Sequence, residues 1–238
     1  MNLFQMEKLL MGLFVLAILF MLYRGIAAPL LDRLHHRKAP KVRAEAMSEL
    51  QLQGVLYGTF ISALNRDAFA SLDSRIDYAG YRKVLKRQWA VTNHDSAIEA
   101  LDNLACMTHS RHFDQMLQLN FSAYEKTIKK TVGLLDLASC PYERLEEFTV
   151  YGWDVVRLSA LAKWCFWLGY ISEQELNGYF AVCIQLCNER GRDWDEFAYS
   201  YLLGRTMHGF KPRNLPKMMK MCLPNLKKYP FKETEKTV

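Results

Sequence analysis

The sequence predicts an all-α protein, with an N-terminal single transmembrane helix followed by a compact cytosolic helical domain. Three observations support this fold class. An unbroken apolar run lies near the N-terminus, the body has apolar residues at three- and four-residue spacing, and no stretch shows the alternation and turn residues typical of strands. Half of the 238 residues are hydrophobic, so the body can bury a substantial core.

The apolar run is Leu9–Tyr23, which has fifteen residues. A helix that crosses a bilayer needs about 20 residues. Apolar residues resume after Arg24 and continue to Leu31, and an arginine near the end of a span can extend its side chain to the headgroups. We therefore predict an anchor over Leu9–Leu31, within a first segment of residues 1–32. A cleaved signal peptide is the alternative, but an acid precedes the run and a proline would follow the cleavage site.

The charges beside the run predict its orientation. Only Lys8 precedes it, whereas six Lys and Arg residues follow from Arg24 to Arg43. Basic residues are enriched on the cytoplasmic side of spanning helices, so we expect the N-terminus outside and the body in the cytoplasm. The six cysteines include no CxxC pair, and unpaired cysteines suit that reducing compartment.

The net charge of +6 is unevenly distributed along the chain. Residues 1–43 carry +5 and residues 211–238 carry +6, which leaves −5 between them. A nucleic-acid-binding protein would concentrate basic residues on the folded face that docks, so we predict no nucleic-acid partner. We expect the basic tail, 211–238, to be broken by its four prolines and to lie beside Arg33–Arg43 against anionic lipid. A solvated, disordered tail is the alternative.

Helical spacing begins within residues 33–83, which we interpret as a basic connector and a helical lead-in. Ala44–Leu64 has apolar residues at helical spacing. Gly54 and Gly58 lie on one side of this helix, where they allow close packing. Tyr78–Trp89 follows as a basic amphipathic helix.

Long runs at helical spacing and capping patterns predict the later helices. The runs are Phe113–Leu137 and Tyr142–Trp167. The capping patterns are Ser96-x-x-Glu99, Ser172-x-x-Glu175 and Asp193-x-x-Glu196. Gly191 ends the helix that begins after Ser172.

The helix that contains Trp153 is apolar almost all round, and its polar side is thin: Gly152, Ser159 and Lys163. A helix of this kind is buried, so we predict that it is the central one. Arg157 faces its packed side and needs an acceptor, because burying an unpaired guanidinium is costly.

Asp154 is the nearest acceptor for Arg157, in the favourable order with the acid before the base. Glu173 is a second candidate acceptor. The helix after Asp193 places Arg205 on an apolar stripe in the same way. We therefore expect the two arginines to lie close together and to be neutralised inside the helical body.

Four motifs carry a family resemblance: Trp153-Asp154-x-x-Arg157, Leu161-Ala162-x-Trp164, Gly169-Tyr170-Ile171-Ser172-x-x-Glu175 and Trp194-x-x-Phe197-Ala198-x-x-Tyr201-Leu202-Leu203-Gly204-Arg205. Together with Leu85-x-x-x-Trp89 upstream, they resemble the bacterial domain-of-unknown-function family 1266 over residues 84–210. The resemblance implies a small helical bacterial domain, so the predicted membrane is the bacterial inner membrane. It implies no settled activity.

Two interpretations of the charged residues stay open. One is structural, a buried ionic network that fixes helix register. The other is functional, with the two arginines binding an anion such as a phosphate or a partner's carboxylate. The candidate binding residues are Trp153, Asp154, Arg157, Trp164, Glu173, Trp194, Tyr201 and Arg205.

The histidines do not predict a metal site. His109 and His112 could share a helix face, but a metal needs further ligands. His94 and His208 lie beside helix ends and are interpreted as surface or capping residues. We therefore predict no metal and no other cofactor.

Catalytic motifs are not evident in the sequence. It has no GxSxG, no glycine-rich phosphate loop and no cysteine with an adjacent histidine. We predict a membrane-anchored, non-catalytic module that binds a partner protein. The alternative is an enzyme or receptor for a small anionic or lipid-derived ligand that uses the Arg157/Arg205 region.

Overall fold

The computed structural model describes residues 47–65, 67–72, 78–137, 149–211 and 213–232, which belong to one compact unit. These residues form ten α-helices and no strand, which confirms the all-α prediction. The helices are α1 (Glu49–Tyr57), α2 (Thr59–Leu64), α3 (Tyr78–Trp89), α4 (His94–Ala105), α5 (Thr108–Leu119), α6 (Phe121–Leu135), α7 (Tyr151–Trp167), α8 (Glu173–Arg190), α9 (Trp194–Met207) and α10 (Leu215–Leu226).

The predicted anchor over Leu9–Leu31 lies outside the described residues. Among those that are described, no helix combines the length and the apolar character needed to cross a membrane.

Helix α7 is the centre of the fold. Sixteen of its 17 residues are buried, and it packs against α1, α2, α4, α5, α8 and α9. The prediction of a central helix is therefore confirmed. The predicted polar side of this helix was wrong. Its three residues, Gly152, Ser159 and Lys163, are buried and contact neighbouring helices.

Two glycines, Gly54 and Gly58, allow α1, α2 and α8 to pack closely against one another and against α7. A Cβ placed on Gly54 would lie 2.2 Å from Cγ of Phe180, and one on Gly58 would lie 2.6 Å from Oγ of Ser159. The Ser159 hydroxyl donates to the Gly54 carbonyl at 2.7 Å. The close packing predicted for the two glycines is confirmed.

Lys163 is held in a buried ion pair near the C-terminal end of α7. Its Nζ lies 3.1 Å from Oδ2 of Asp67 and donates to Oγ of Ser62 at 2.6 Å. The Asp67 carboxylate also accepts from Nε1 of Trp164 at 3.1 Å and from the Tyr81 hydroxyl. Burial lowers the pKa of Lys163, and the adjacent carboxylate opposes that effect. The central helix thus has a charge pair that the sequence did not reveal.

Several predicted helix boundaries were wrong. Helix α4 begins earlier, with a capping box in which Asn93 accepts from the Ser96 N–H at 3.0 Å and Ser96 accepts from the Asn93 N–H at 3.1 Å. The run Phe113–Leu137 is split between α5 and α6, since Asn120 caps the start of α6. Helix α7 begins at Tyr151, and residues 142–148 lie outside the described part of the chain.

The helix predicted over Ala44–Leu64 is also split, because α1 ends and α2 begins at Gly58. The boundaries of α8 and the start of α9 follow the sequence. The capping box of Ser172 and Glu175 is present, and Asp193 caps α9 through the N–H groups of Asp195 and Glu196. Gly191 ends α8.

The chain after residue 211 is less broken than predicted. Residues 215–226 form one helix, α10, which packs against α2, α6 and α9. Pro216 lies in its first turn, where no N–H is needed, and Pro224 lies in its last turn. The buried residues of α10 join this part of the basic tail to the core: Leu215, Pro216, Met219, Leu223 and Leu226.

Gly152 offers a direct test of the packing between α7 and α9. A Cβ at this position would lie 2.9 Å from the backbone nitrogen of Tyr201 and 3.0 Å from the Phe197 carbonyl oxygen. Because backbone cannot move aside easily, Gly152→Ala should destabilise the fold by about 1–3 kcal/mol in urea denaturation. Gly133→Ala, where a Cβ meets nothing within 4 Å, should instead stabilise by about 0.5–1 kcal/mol. Equal effects of the two changes would contradict this packing.

The buried carboxyl group of Glu196 should make the stability of the fold depend on pH. Its carboxyl is buried and accepts from the Tyr151 hydroxyl at 2.8 Å, and burial raises its pKa from 4.5 to about 7. The folded state therefore binds the proton more tightly than the unfolded state, and this stabilisation is lost as pH rises from 4.5 through 7. Between pH 5 and pH 8, the free energy of unfolding of the wild type should fall by about 2–3 kcal/mol more than that of Glu196→Gln. Urea denaturation at both pH values checks this, and parallel losses in the two proteins would exclude it.

Candidate functional site

Arg157 and Arg205 lie in one cluster of cationic and aromatic side chains, built from α3, α5, α7, α9 and the turn after α9. We call it the arginine cluster. Its members are Trp89, His109, Trp153, Asp154, Arg157, Tyr201, Arg205, His208 and Phe210.

Asp154 is the carboxylate at the base of the arginine cluster, and it is completely buried. Its Oδ2 accepts from the Ser110 N–H at 2.8 Å, and its Oδ1 accepts from Nη1 of Arg157 at 3.1 Å. The predicted Asp154–Arg157 pair is therefore confirmed. Because Ser110 belongs to α5, the same carboxylate also joins α5 to α7.

Arg157 is 13% exposed and lies against two indole rings. Its Cζ is 4.6 Å from the centroid of the Trp153 ring and 4.8 Å from that of Trp89. Cation–π contacts of this kind favour the charged guanidinium. Burial lowers the pKa of Arg157, and Asp154 is the main opposing influence. The side chain is held by two rings and one carboxylate, and a small part of it remains exposed.

Arg205 also lies close to Tyr201. It is partly exposed, and its Cζ is 4.9 Å from the ring centroid of Phe210. Burial raises the pKa of Tyr201 to about 12, and the positive charges of Arg205 and Arg157 limit that rise. The Tyr201 ring also stacks on Trp153, at 5.8 Å between centroids. Both arginines therefore lie close to Tyr201, as expected. The expectation that both are enclosed inside the helical body was wrong for Arg205, which is partly exposed.

Buried polar atoms without a partner concentrate in the arginine cluster. Within the described chain, three of its side-chain atoms are inaccessible and have no hydrogen bond: Nε1 of Trp89, Nδ1 of His109 and Nε1 of Trp153. The Tyr201 hydroxyl and the Arg205 guanidinium instead interact with each other. Folded proteins leave few such atoms unpaired. The two indole N–H groups are obligate donors, so the arginine cluster contains two buried donors that no described acceptor satisfies.

Two histidines complete the arginine cluster. The rings of His109 and His208 are 5.4 Å apart, and His208 also faces Trp153 at 5.3 Å and Phe210 at 5.4 Å. Burial and then the charge of Arg157 lower the pKa of both imidazoles, and Asp154 opposes this. His208 does end α9, as predicted, but its ring belongs to the arginine cluster.

Three predicted site residues lie elsewhere. Glu173 accepts from Nε2 of Gln51 at 2.8 Å, so its proposed role as an acceptor for Arg157 was wrong. Trp164 donates to Asp67, and Trp194 donates to the Tyr229 carbonyl at 3.0 Å. The structure therefore brings together Trp153, Asp154, Arg157, Tyr201 and Arg205, and adds Trp89, His109, His208 and Phe210.

Exposed basic residues adjoin the arginine cluster in the chain. Arg87 is two residues from Trp89, Arg111 is two residues from His109, and Lys211 follows Phe210. All three cations are exposed. In the described part of the chain, no group of three His, Cys, Asp or Glu side chains is arranged to hold a metal ion.

A family model described as "Protein of unknown function (DUF1266)" matches residues 84–226. The resemblance over residues 84–210 is thereby confirmed, and the match extends through α10. Every member of the arginine cluster lies within the matched range. No curated protein and no solved structure matches the chain.

Replacing Arg157 tests the electrostatics of the arginine cluster. Arg157→Gln should raise the pKa of His109 and His208 toward the ordinary value of 6.5, because the nearby positive charge is lost while Asp154 stays. NMR titration of the imidazole protons measures both values. Arg111→Gln removes an exposed charge that is not among the causes of either shift, and it should leave both pKa values in place. An unchanged His208 pKa in Arg157→Gln would contradict the geometry.

Proposed function

Because the chain belongs to the DUF1266 family, whose function is unknown, we propose its role from the arginine cluster: a non-catalytic module that binds an acidic segment of a partner protein. The observation that supports this proposal is that two guanidinium groups lie in one cluster with the unpaired indole N–H groups of Trp89 and Trp153. A carboxylate can accept from several such donors at once. The one carboxylate within the arginine cluster, Asp154, is already occupied by Ser110 and Arg157.

The two arginines have different parts in this proposal. Arg157 is fixed by Asp154 and two indoles, so it supplies a fixed positive charge. Arg205 is partly exposed, and its guanidinium lies against the Phe210 ring and close to the Tyr201 hydroxyl. A planar guanidinium recognises carboxylates with two parallel hydrogen bonds. Arg205 is therefore the residue that contacts the partner's carboxylate.

The surroundings favour a peptide segment over a single small anion. Lys211 follows Phe210 in the chain and adds an exposed positive charge next to it. Phe210 is 47% exposed and offers an apolar contact beside Arg205. Protein interfaces are enriched in arginine and aromatic residues, and an acidic segment that also carries an apolar side chain matches this combination of charges and rings.

The membrane part of the proposal rests on the sequence. The segment Leu9–Leu31 would hold the module at the inner membrane, with the body on the cytoplasmic side. The basic residues Arg33–Arg43 would face anionic lipid. Helix α10 takes residues 215–226 of the tail into the folded domain, so its exposed lysines would reach lipid from the domain surface.

Charge reversal at Arg205 tests the proposed function. The probe is a fluorescein-labelled octaglutamate peptide, and its binding to the full chain is measured by anisotropy. Arg205→Glu should weaken binding by about tenfold or more, since it removes the recognising group and repels the peptide. Lys126→Glu makes the same change in net charge at an exposed position on α6, and it should have a much smaller effect.

A conservative variant separates binding from structural support. Arg205→Lys keeps the charge but loses the fork, so it should weaken peptide binding without lowering the melting temperature. A lower melting temperature with unchanged peptide affinity would mean that the arginine cluster is a structural network. Inorganic phosphate and anionic vesicles are tested in the same way. If either binds through Arg205 and the peptide does not, the ligand is a small anion or a lipid and not an acidic protein segment.

A further inference from the structure

A pocket lies away from the arginine cluster, between α2, the turn at residues 67–70 and α10. Its volume is about 280 Å³, and none of its lining residues belongs to the arginine cluster. Its mouth is apolar: Phe69 is 41% exposed and Met221 is 69% exposed. Exposed large hydrophobic side chains around a concavity are typical of a ligand site, and methionine adapts its shape to what it contacts. We call this cavity the α10 pocket.

A hydroxyl without a partner lines the α10 pocket. Thr59 is only 4% exposed, and within the described residues its Oγ1 makes no hydrogen bond. A threonine at the start of a helix usually bonds a nearby backbone group. A buried hydroxyl left unpaired is unfavourable, so this atom is available to a ligand that brings a hydrogen-bonding group.

The charged residue in the wall of the α10 pocket is already neutralised. Asp67 pairs with Lys163 and accepts from Trp164 and Tyr81. A charged ligand would enter apolar surroundings with no counter-charge to offset its desolvation. The α10 pocket therefore selects a neutral molecule, unlike the arginine cluster.

We infer that the α10 pocket binds a small neutral apolar molecule that carries one hydroxyl or carbonyl group. Its polar group bonds Oγ1 of Thr59, and its apolar part lies between Phe69 and the Met218 and Met221 side chains of α10. The volume sets the size, because an apolar cavity of about 150 Å³ holds benzene. The α10 pocket therefore admits a two-ring aromatic molecule or a short alkyl chain.

The test compares two probes on the full chain, 1-naphthol and naphthalene, which differ by one hydroxyl. Methyl NMR of the methionines reports binding, with ring-current shifts expected at Met218 and Met221. Wild type should bind 1-naphthol about tenfold more tightly than naphthalene. Thr59→Val keeps the shape but removes the hydroxyl, so it should bind the two probes equally and keep its melting temperature.

A matched pair of variants on α10 locates the site. Asn225 is exposed and lines the α10 pocket, and Lys220 is exposed on the same helix and does not line it. Asn225→Trp should abolish the Met218 and Met221 shifts, whereas Lys220→Trp should leave them. The inference is overturned if neither probe shifts these methyls, if Asn225→Trp still binds, or if wild type does not distinguish the two probes. Tighter binding of the charged 1-naphthoate than of 1-naphthol would also overturn it.

Discussion

Burial of α7 along almost its whole length, with its charges paired inside the fold, is the constraint on which the rest of the structure depends. Asp154 and Lys163 are both enclosed, and they lie about 14 Å apart along the helix axis. Each reaches outside α7: Asp154 binds the Ser110 N–H of α5, and Lys163 binds Asp67 and Ser62. Removing one partner from a buried pair costs about 3–5 kcal/mol, so these contacts fix where α5 and α2 dock.

The two proposed sites are each built against one of these charge pairs. At one end of α7, the pair between Asp154 and Arg157 leaves a small part of the Arg157 side chain exposed, and the site is cationic. At the other end, the pair between Lys163 and Asp67 is closed, and the adjoining pocket is neutral. The two sites differ because the Arg157 side chain is 13% exposed whereas that of Lys163 is 2% exposed.

The sequence predicts local relationships on a helix well and distant ones poorly. The central position of α7, the Asp154–Arg157 pair and the placing of Arg205 beside Tyr201 follow from three- and four-residue spacing. Lys163 was misassigned to a polar side because its partner, Asp67, lies on a different segment and no spacing rule joins them. The arginine cluster likewise gains His208 and Trp89 through packing between helices, which carries no local signal. Glu173 failed as a partner for the same reason, since its actual partner lies on α1.

The position of Arg157 between two indole rings has an optical consequence. Tryptophan emission depends on charges and dipoles close to the ring, and two of the five tryptophans of the chain touch this one guanidinium. Any molecule that displaces Arg157, or that screens its charge, alters the light emitted by Trp89 and Trp153. The domain therefore has a built-in fluorophore pair whose spectrum reports occupancy without a label.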